Sequence, residues 1–244
     1  MYNQGFRLSY SSLKQFEDPK VCLEEWKKVY VTRTSSFPSN IKMDYGSYFE
    51  YLCIGSAAKS GDEITDLPRK KNGEKYVAQE RIELQAERFK EMMEFFGEGY
   101  LWLSIEELQK RLEFKSQVGI IDFIATDPMQ MDTVLCDLKL TADVNATGHP
   151  AMFGHDENID ITQAVHYCWL YEQLNGFRPR FKYIVFDYSP RMGHKVLTIE
   201  VGDNDILLLN GRKQKVFDFV HSNNPEDDWS IHNSRFNKML TTED

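Results

Sequence analysis

The stretch VGIIDFIATDPMQMDTVLCDLKLTAD, Val118 to Asp143, holds two apolar runs, each interrupted by an acid: Asp122 in the first and Asp137 in the second, with Lys139 two residues beyond. VGIIDFIAT and TVLCDLKL are rich in branched residues and are separated by the turn-like DPMQMD, so they read as neighbouring strands. Side chains on a strand alternate faces. Asp137 and Lys139 therefore point to one side, while Leu138 points into the opposite layer. A Val118–Thr126 strand paired alongside brings Asp122 to the same spot. An ionised acid in such a place is costly unless it is paired or metal-bound, and two adjacent carboxylates repel each other. A divalent cation answers both problems, and oxygen-only ligands suit Mg²⁺ or Mn²⁺. Taken alone, Asp-x-Lys is most simply a surface ion pair on a half-exposed strand.

The remaining segments supply helices around these strands. SYSSLKQFED is a short helix with Ser9, Ser11 or Ser12 at its cap. DYGSYFEYLCIGSAAK is a helix with Phe49, Leu52 and Cys53 on its apolar face. VAQERIELQAERFKEMMEFFG is a long amphipathic helix with Ile82, Phe89, Met93 and Phe96 on one side, ending near Gly97. LSIEELQKRLEF is ambiguous: Ser104 followed by Glu107 fits a capping box, whereas the flanking aromatic and β-branched residues fit a strand. ITQAVHYCWLYEQLNG is a helix capped by Thr162 or Asp160 and ended by Gly176. FKYIVFDY and HKVLTIEV form a strand pair around SPRMG, and a last helix runs from about Asp203 to Val220. This order predicts an α/β fold with helices packed on a sheet.

The chain has 244 residues, 41% hydrophobic and 27% charged, enough for one large soluble domain. No stretch has the character of a long linker, so a single domain over residues 1–244 is expected, with a polar acidic tail from about Asn223 in which Trp229 and Phe236 favour partial docking. The opening MYNQGFRLSYSS lacks the apolar centre of a secretory signal, and no apolar run reaches membrane-spanning length, so a cytoplasmic protein without membrane partners is expected. The net charge of −9 argues against indiscriminate coating of nucleic acid, but not against an enzyme that crowds acids around metals. Cys22, Cys53, Cys136 and Cys168 are far apart and form no C-x-x-C pair, which leaves them as reduced, mostly buried thiols.

An apolar–Gly–apolar–apolar–Asp strand, a turn, and an apolar–Asp–x–Lys strand together resemble the PD-(D/E)XK nuclease superfamily, with Gly119–Asp122 as the first acidic motif and Asp137–Leu138–Lys139 as the second. Gln163 and Tyr167 in QAVHY are similar to the Q-x-x-x-Y motif of the RecB-like and phage recombination exonuclease branch. GSYFEYL resembles that branch's G-x-x-x-(H/E) helix, and LSYSSLKQFED its S-x-S-x-L-x-x-F opening. The match spans roughly residues 8 to 190.

The resemblance implies a restriction-endonuclease-like fold, a mixed central sheet flanked by helices. It implies Mg²⁺ or Mn²⁺ held by Glu50, Asp122, Asp137 and the backbone carbonyl of Leu138. Lys139 would be the catalytic lysine, Gln163 would hold the lysine or the nucleophilic water, and Tyr167 would contact the DNA backbone. Asp44 and Glu63 compete with Glu50 for its role. The family also favours a strand at Ser104–Phe114. Some members hold an iron–sulfur cluster through a late cysteine group, but no cysteine follows Cys168, so no cluster is expected. No G-x-x-x-x-G-K-[ST] loop occurs, so any unwinding would require a helicase partner.

The implied activity is a metal-dependent deoxyribonuclease, foremost an exonuclease in recombination or repair. The alternatives are a structure-specific or restriction-like endonuclease on the same site and a non-catalytic DNA-binding module. DNA is the implied partner, and a single-strand annealing protein and a homo-oligomer are compatible with the branch. Arg178, Arg180, Lys182 and Arg191, with Lys195, His194 and Arg69–Lys71, are the cations available to phosphate. His149, His155 and His166 have no metal-ligand spacing and read as loop or surface residues.

Overall fold

The structure is a computed structural model that describes residues 5–38, 40–55, 67–94, 103–146, 153 and 159–233. The loop residues His149 and His155, together with Glu63, Phe96 and Phe236, lie outside those residues. The chain divides into two compact units: residues 1–38, 113–119 and 202–244 form one, and residues 39–112 and 120–201 the other.

The second unit carries most of a mixed five-stranded sheet of order β1-β2-β3-β4-β5, comprising β1 (Ser104–Phe114), β2 (Gln117–Asp127), β3 (Asp132–Thr141), β4 (Arg180–Asp187) and β5 (His194–Ile199). The ambiguous Ser104–Phe114 segment is therefore a strand. β2 and β3 pair antiparallel across the Asp127–Asp132 turn, β3 and β4 pair parallel, and β4 and β5 close as an antiparallel hairpin. A parallel pair needs a crossover. Helix α5 (Thr162–Asn175) supplies it, starting where the Asp160 carboxylate accepts the Thr162 N–H and ending at Gly176 with φ 81. Two further helices belong to this unit, α3 (Ile41–Ile54) and α4 (Val77–Glu94).

Strand alternation sorts the two sheet faces. Phe123, Ala125, Val134, Cys136, Leu138, Ile184 and Phe186 form one apolar cluster with Phe49 of α3 and with Ile82 and Phe89 of α4. Phe49 and Phe89 both meet the Phe186 ring, at 5.4 and 6.2 Å. The intervening residues face α5, where Phe181 meets Tyr167 at 6.3 Å and Tyr183 at 4.9 Å. Asp137 and Lys139 belong to this second set.

A buried carboxylate fixes the chain just beyond Lys139. Asp187 accepts N–H bonds from Gly193 and Ser189 on one oxygen and from Val144 on the other, tying the β4–β5 turn to the exit of β3. Gln85 of α4 donates to the carbonyls of Asp187 and Gly193.

The first unit packs α1 (Tyr10–Glu17), α2 (Leu23–Tyr30) and α6 (Asp203–Ser222) with a 3₁₀ turn at Trp229–His232. Ser9 caps α1 in a reciprocal capping box with Ser12. The core is aromatic: Trp26 and Trp229 are fully buried, and Phe16 and Phe219 meet them edge-on. Trp229 thus docks the tail as expected. Lys213 of α6 is also buried, and burial lowers its ammonium pKa to about 7. No helix among the described residues is long and apolar enough to cross a membrane.

A Cβ at Gly193 would lie 2.7 Å from Val144 Cγ1 and 2.8 Å from Asp187 Oδ2. Gly193→Ala is therefore expected to cost roughly 1–3 kcal/mol of stability, measurable by urea denaturation. The unfolded chain holds a proton on Lys213 that the folded chain lacks between pH 7 and about 10, so this residue makes stability rise with pH across that window. Lys213→Met is expected to raise the melting temperature at pH 7 and to flatten that rise.

Candidate functional site

The site grows from β3. Asp137 is 0% exposed and lies two residues from Lys139 on the same face. Lys139 Nζ stands 2.5 Å from Asp137 Oδ2, and the Lys139 side chain is about a third exposed, so its ammonium forms the accessible end of the pair. Gln163 of α5 donates its side-chain N–H to Asp137 Oδ1 at 2.7 Å and to the Tyr167 hydroxyl at 3.4 Å. The four-residue spacing of Gln163 and Tyr167 places both on one helix face. Gln163 thus grips the carboxylate of Asp137, and Tyr167 backs it from a position only 6% exposed.

Asp122 arrives from β2. Phe123 pairs with Cys136 in the β2–β3 register, so Asp122 belongs to the face of Asp137. Its Oδ2 accepts the Leu138 backbone N–H at 2.8 Å, and it is 2% exposed. Burial disfavours the Lys139 ammonium, but Asp137, Asp122 and a hydrogen bond to Asp137 outweigh it and hold the pKa above the ordinary lysine value. Lys139 is thus set to act as a cation.

Glu50 joins from α3 through a residue outside every sequence motif. The Gln109 side-chain N–H group donates to Glu50 Oε1 at 2.8 Å and to Asp122 Oδ1 at 3.3 Å. Cys53, one turn after Glu50, feels the same two acids: burial pushes its thiol well above the usual value, and Glu50 and Asp122 push it further. Gln109 lies in β1 with φ 47. That left-handed conformation costs on the order of 1–3 kcal/mol for a residue with a side chain and persists where the surroundings fix it. Its only warning in the sequence is a place in the ambiguous SIEELQKRLEF segment, because a backbone excursion within a strand leaves no periodic trace.

Lys139, Asp137, Gln163 and Tyr167 are therefore linked by direct contacts, Glu50 and Asp122 by Gln109, and the Leu138 N–H ties Asp122 to the strand that carries Asp137. The donor chemistry suits a hard cation: carboxylate oxygens outnumber the single ammonium, and Gln109 Oε1 is buried without a hydrogen-bond partner among the described residues. As they stand, no three His, Cys, Asp or Glu side chains among the described residues converge closely enough to enclose an ion.

The basic residues separate. Arg178 forks onto Glu172 and also donates to the Val201 carbonyl. Arg180 pairs with Asp127 and Asp132, and Lys182 lies 3.8 Å from Asp127 on the face opposite Asp137. These three charges are engaged by carboxylates. Arg191 is exposed on the β4–β5 turn. Lys195 donates to the Phe153 carbonyl, and His194 stacks on Phe186, where burial and then Arg88 lower its pKa. His166 is buried on α5 rather than on the surface.

No family model and no curated protein matches the chain. Among solved structures, the crystal structure described as "Putative exonuclease" from Eubacterium rectale aligns over 98% of this chain and 82% of its own, with TM-score 0.52 and 16% identity. That likeness shows a shared fold. The structure of SSO0001 aligns over 84% of each chain at TM-score 0.28 and 12% identity, too distant to carry an argument.

The two acids bridged by Gln109 differ in what their loss exposes. Asp122→Ala leaves the Leu138 N–H without its buried acceptor and is expected to cost about 1–3 kcal/mol. Glu50→Ala, on a partly exposed helix position, is expected to cost less. Denaturant unfolding of both metal-free variants checks the order.

Proposed function

We propose that the protein is a metal-dependent deoxyribonuclease, an exonuclease that hydrolyses DNA phosphodiester bonds in recombination or repair. The observation that carries the reading is the buried Asp137 held between Lys139 and Gln163, with Asp122 lodged against the same strand. The shared fold with a structure described as "Putative exonuclease" supports it.

Glu50, Asp122 and Asp137 would hold Mg²⁺ or Mn²⁺, with the Leu138 carbonyl as a further oxygen ligand. Such an ion supplies stabilisation of charge on the phosphoryl oxygens and a lowered pKa for the attacking water. Lys139 orients that water and offsets charge developing on the phosphate, a role suited to an ammonium whose pKa is held high. Gln163 fixes the Asp137 carboxylate, and the Tyr167 hydroxyl completes that brace. A retired binding module would have little reason to keep a buried carboxylate so elaborately compensated. Arg191 has the exposed placement that phosphate contact requires, while Arg178, Arg180 and Lys182 would have to exchange carboxylate partners to take part in DNA binding. A helicase would supply unwound substrate, a single-strand annealing protein would take up the single strand that digestion leaves, and a homo-oligomer would keep the enzyme on its strand.

Purified protein is expected to degrade end-labelled linear DNA with Mg²⁺ or Mn²⁺ and to stop when a chelator is added. Asp137→Ala and Lys139→Ala are each expected to lower the rate at least a hundredfold while retaining the wild-type circular dichroism spectrum. Full activity in either folded variant overturns the assignment. Nicking of covalently closed circular DNA would replace the exonuclease with an endonuclease.

A further inference from the structure

Gln109 joins two acids that would otherwise repel each other. Its N–H group reaches both Glu50 and Asp122 from a left-handed position in β1, while its own buried Oε1 has no partner among the described residues. A lysine or arginine here would cancel the charge of the acids. An amide satisfies their oxygens and leaves that charge in place. The orphaned oxygen would suit a cation or its water, because amide oxygens are ordinary ligands for hard ions.

We propose that Gln109 is the positioning residue that stands in for the cation: its side-chain N–H group holds Glu50 and Asp122 together in the metal-free protein and yields that place when a divalent ion binds. Turning the amide over then gives Oε1 the positive partner it lacks. The inference rests on the reading of Glu50, Asp122 and Asp137 as cation ligands. It adds a residue that stabilises the empty site and competes mildly with its ligand.

Thermal unfolding with and without Mn²⁺, alongside titration of the free-Mn²⁺ paramagnetic resonance signal, tests this in the wild type, Q109L and Q109E. Q109L is expected to melt lower than the wild type without Mn²⁺ and to gain a larger melting-temperature increment when Mn²⁺ is added. Q109E adds a third carboxylate to the pair. It is expected to melt lower without metal and to bind Mn²⁺ at least tenfold more tightly. An equal loss of stability with and without Mn²⁺ in Q109L would make the glutamine merely structural and overturn the proposal, as would unchanged affinity in Q109E. Should Q109L fail to fold, Q109E decides alone. If the wild type binds no Mn²⁺, or if Asp137→Ala leaves its binding unchanged, the cation site itself falls and the stand-in with it. Wild-type binding that depends on Asp137, combined with unaltered behaviour of the Gln109 variants, removes only the role of Gln109.

Discussion

A carboxylate removed from water inside a sheet must be compensated, and Asp137 is 0% exposed. Without partners its burial would cost several kcal/mol. Its compensation comes from Lys139, two residues along the same strand, and from Gln163 on the crossover helix. The first partner requires β3 to be extended, because only alternation returns residue 139 to the face of residue 137. The second requires α5 to cover that face. The parallel β3–β4 pairing, in which Asp137 stands beside Tyr183, is the arrangement that a helical crossover permits.

The rest of the second unit holds this arrangement firm. One sheet face is filled by aromatic and aliphatic side chains from α3 and α4, which places Glu50 next to the buried Phe49 anchor. The Asp187 network holds the chain that leaves β3 against the β4–β5 turn. The acids thus come from three elements, each fixed by packing or hydrogen bonding. Gln109 accepts an unfavourable backbone conformation to bring two of them under one amide.

Much of the fold was legible because burial writes itself into strand alternation and helix periodicity. The β2–turn–β3 segment showed its two faces directly, and Gly176 marked the end of α5 through its left-handed φ. Ser104–Phe114 was ambiguous because its exposed positions are polar enough for a solvated helix, and sheet pairing decides it. Helix α2 left little trace: it has eight residues, and the side chain of its N-cap, Cys22, makes no capping hydrogen bond. For the site, strand alternation brought Asp122, Asp137 and Lys139 to attention, and the family resemblance added Glu50, Gln163 and Tyr167. Spacing could not reveal that Gln163 would grip Asp137, that Arg180 would be taken by Asp127 and Asp132, or that Gln109 would bridge Glu50 and Asp122. Those partnerships join residues from different elements, and no local periodicity encodes them.

The central claim is that these acids form one cation site. Anomalous diffraction from a crystal soaked in Mn²⁺ measures it most directly. The account predicts a single strong peak coordinated by Glu50, Asp122 and Asp137, close to the ammonium of Lys139. A peak elsewhere, or none at a saturating Mn²⁺ concentration, would contradict it.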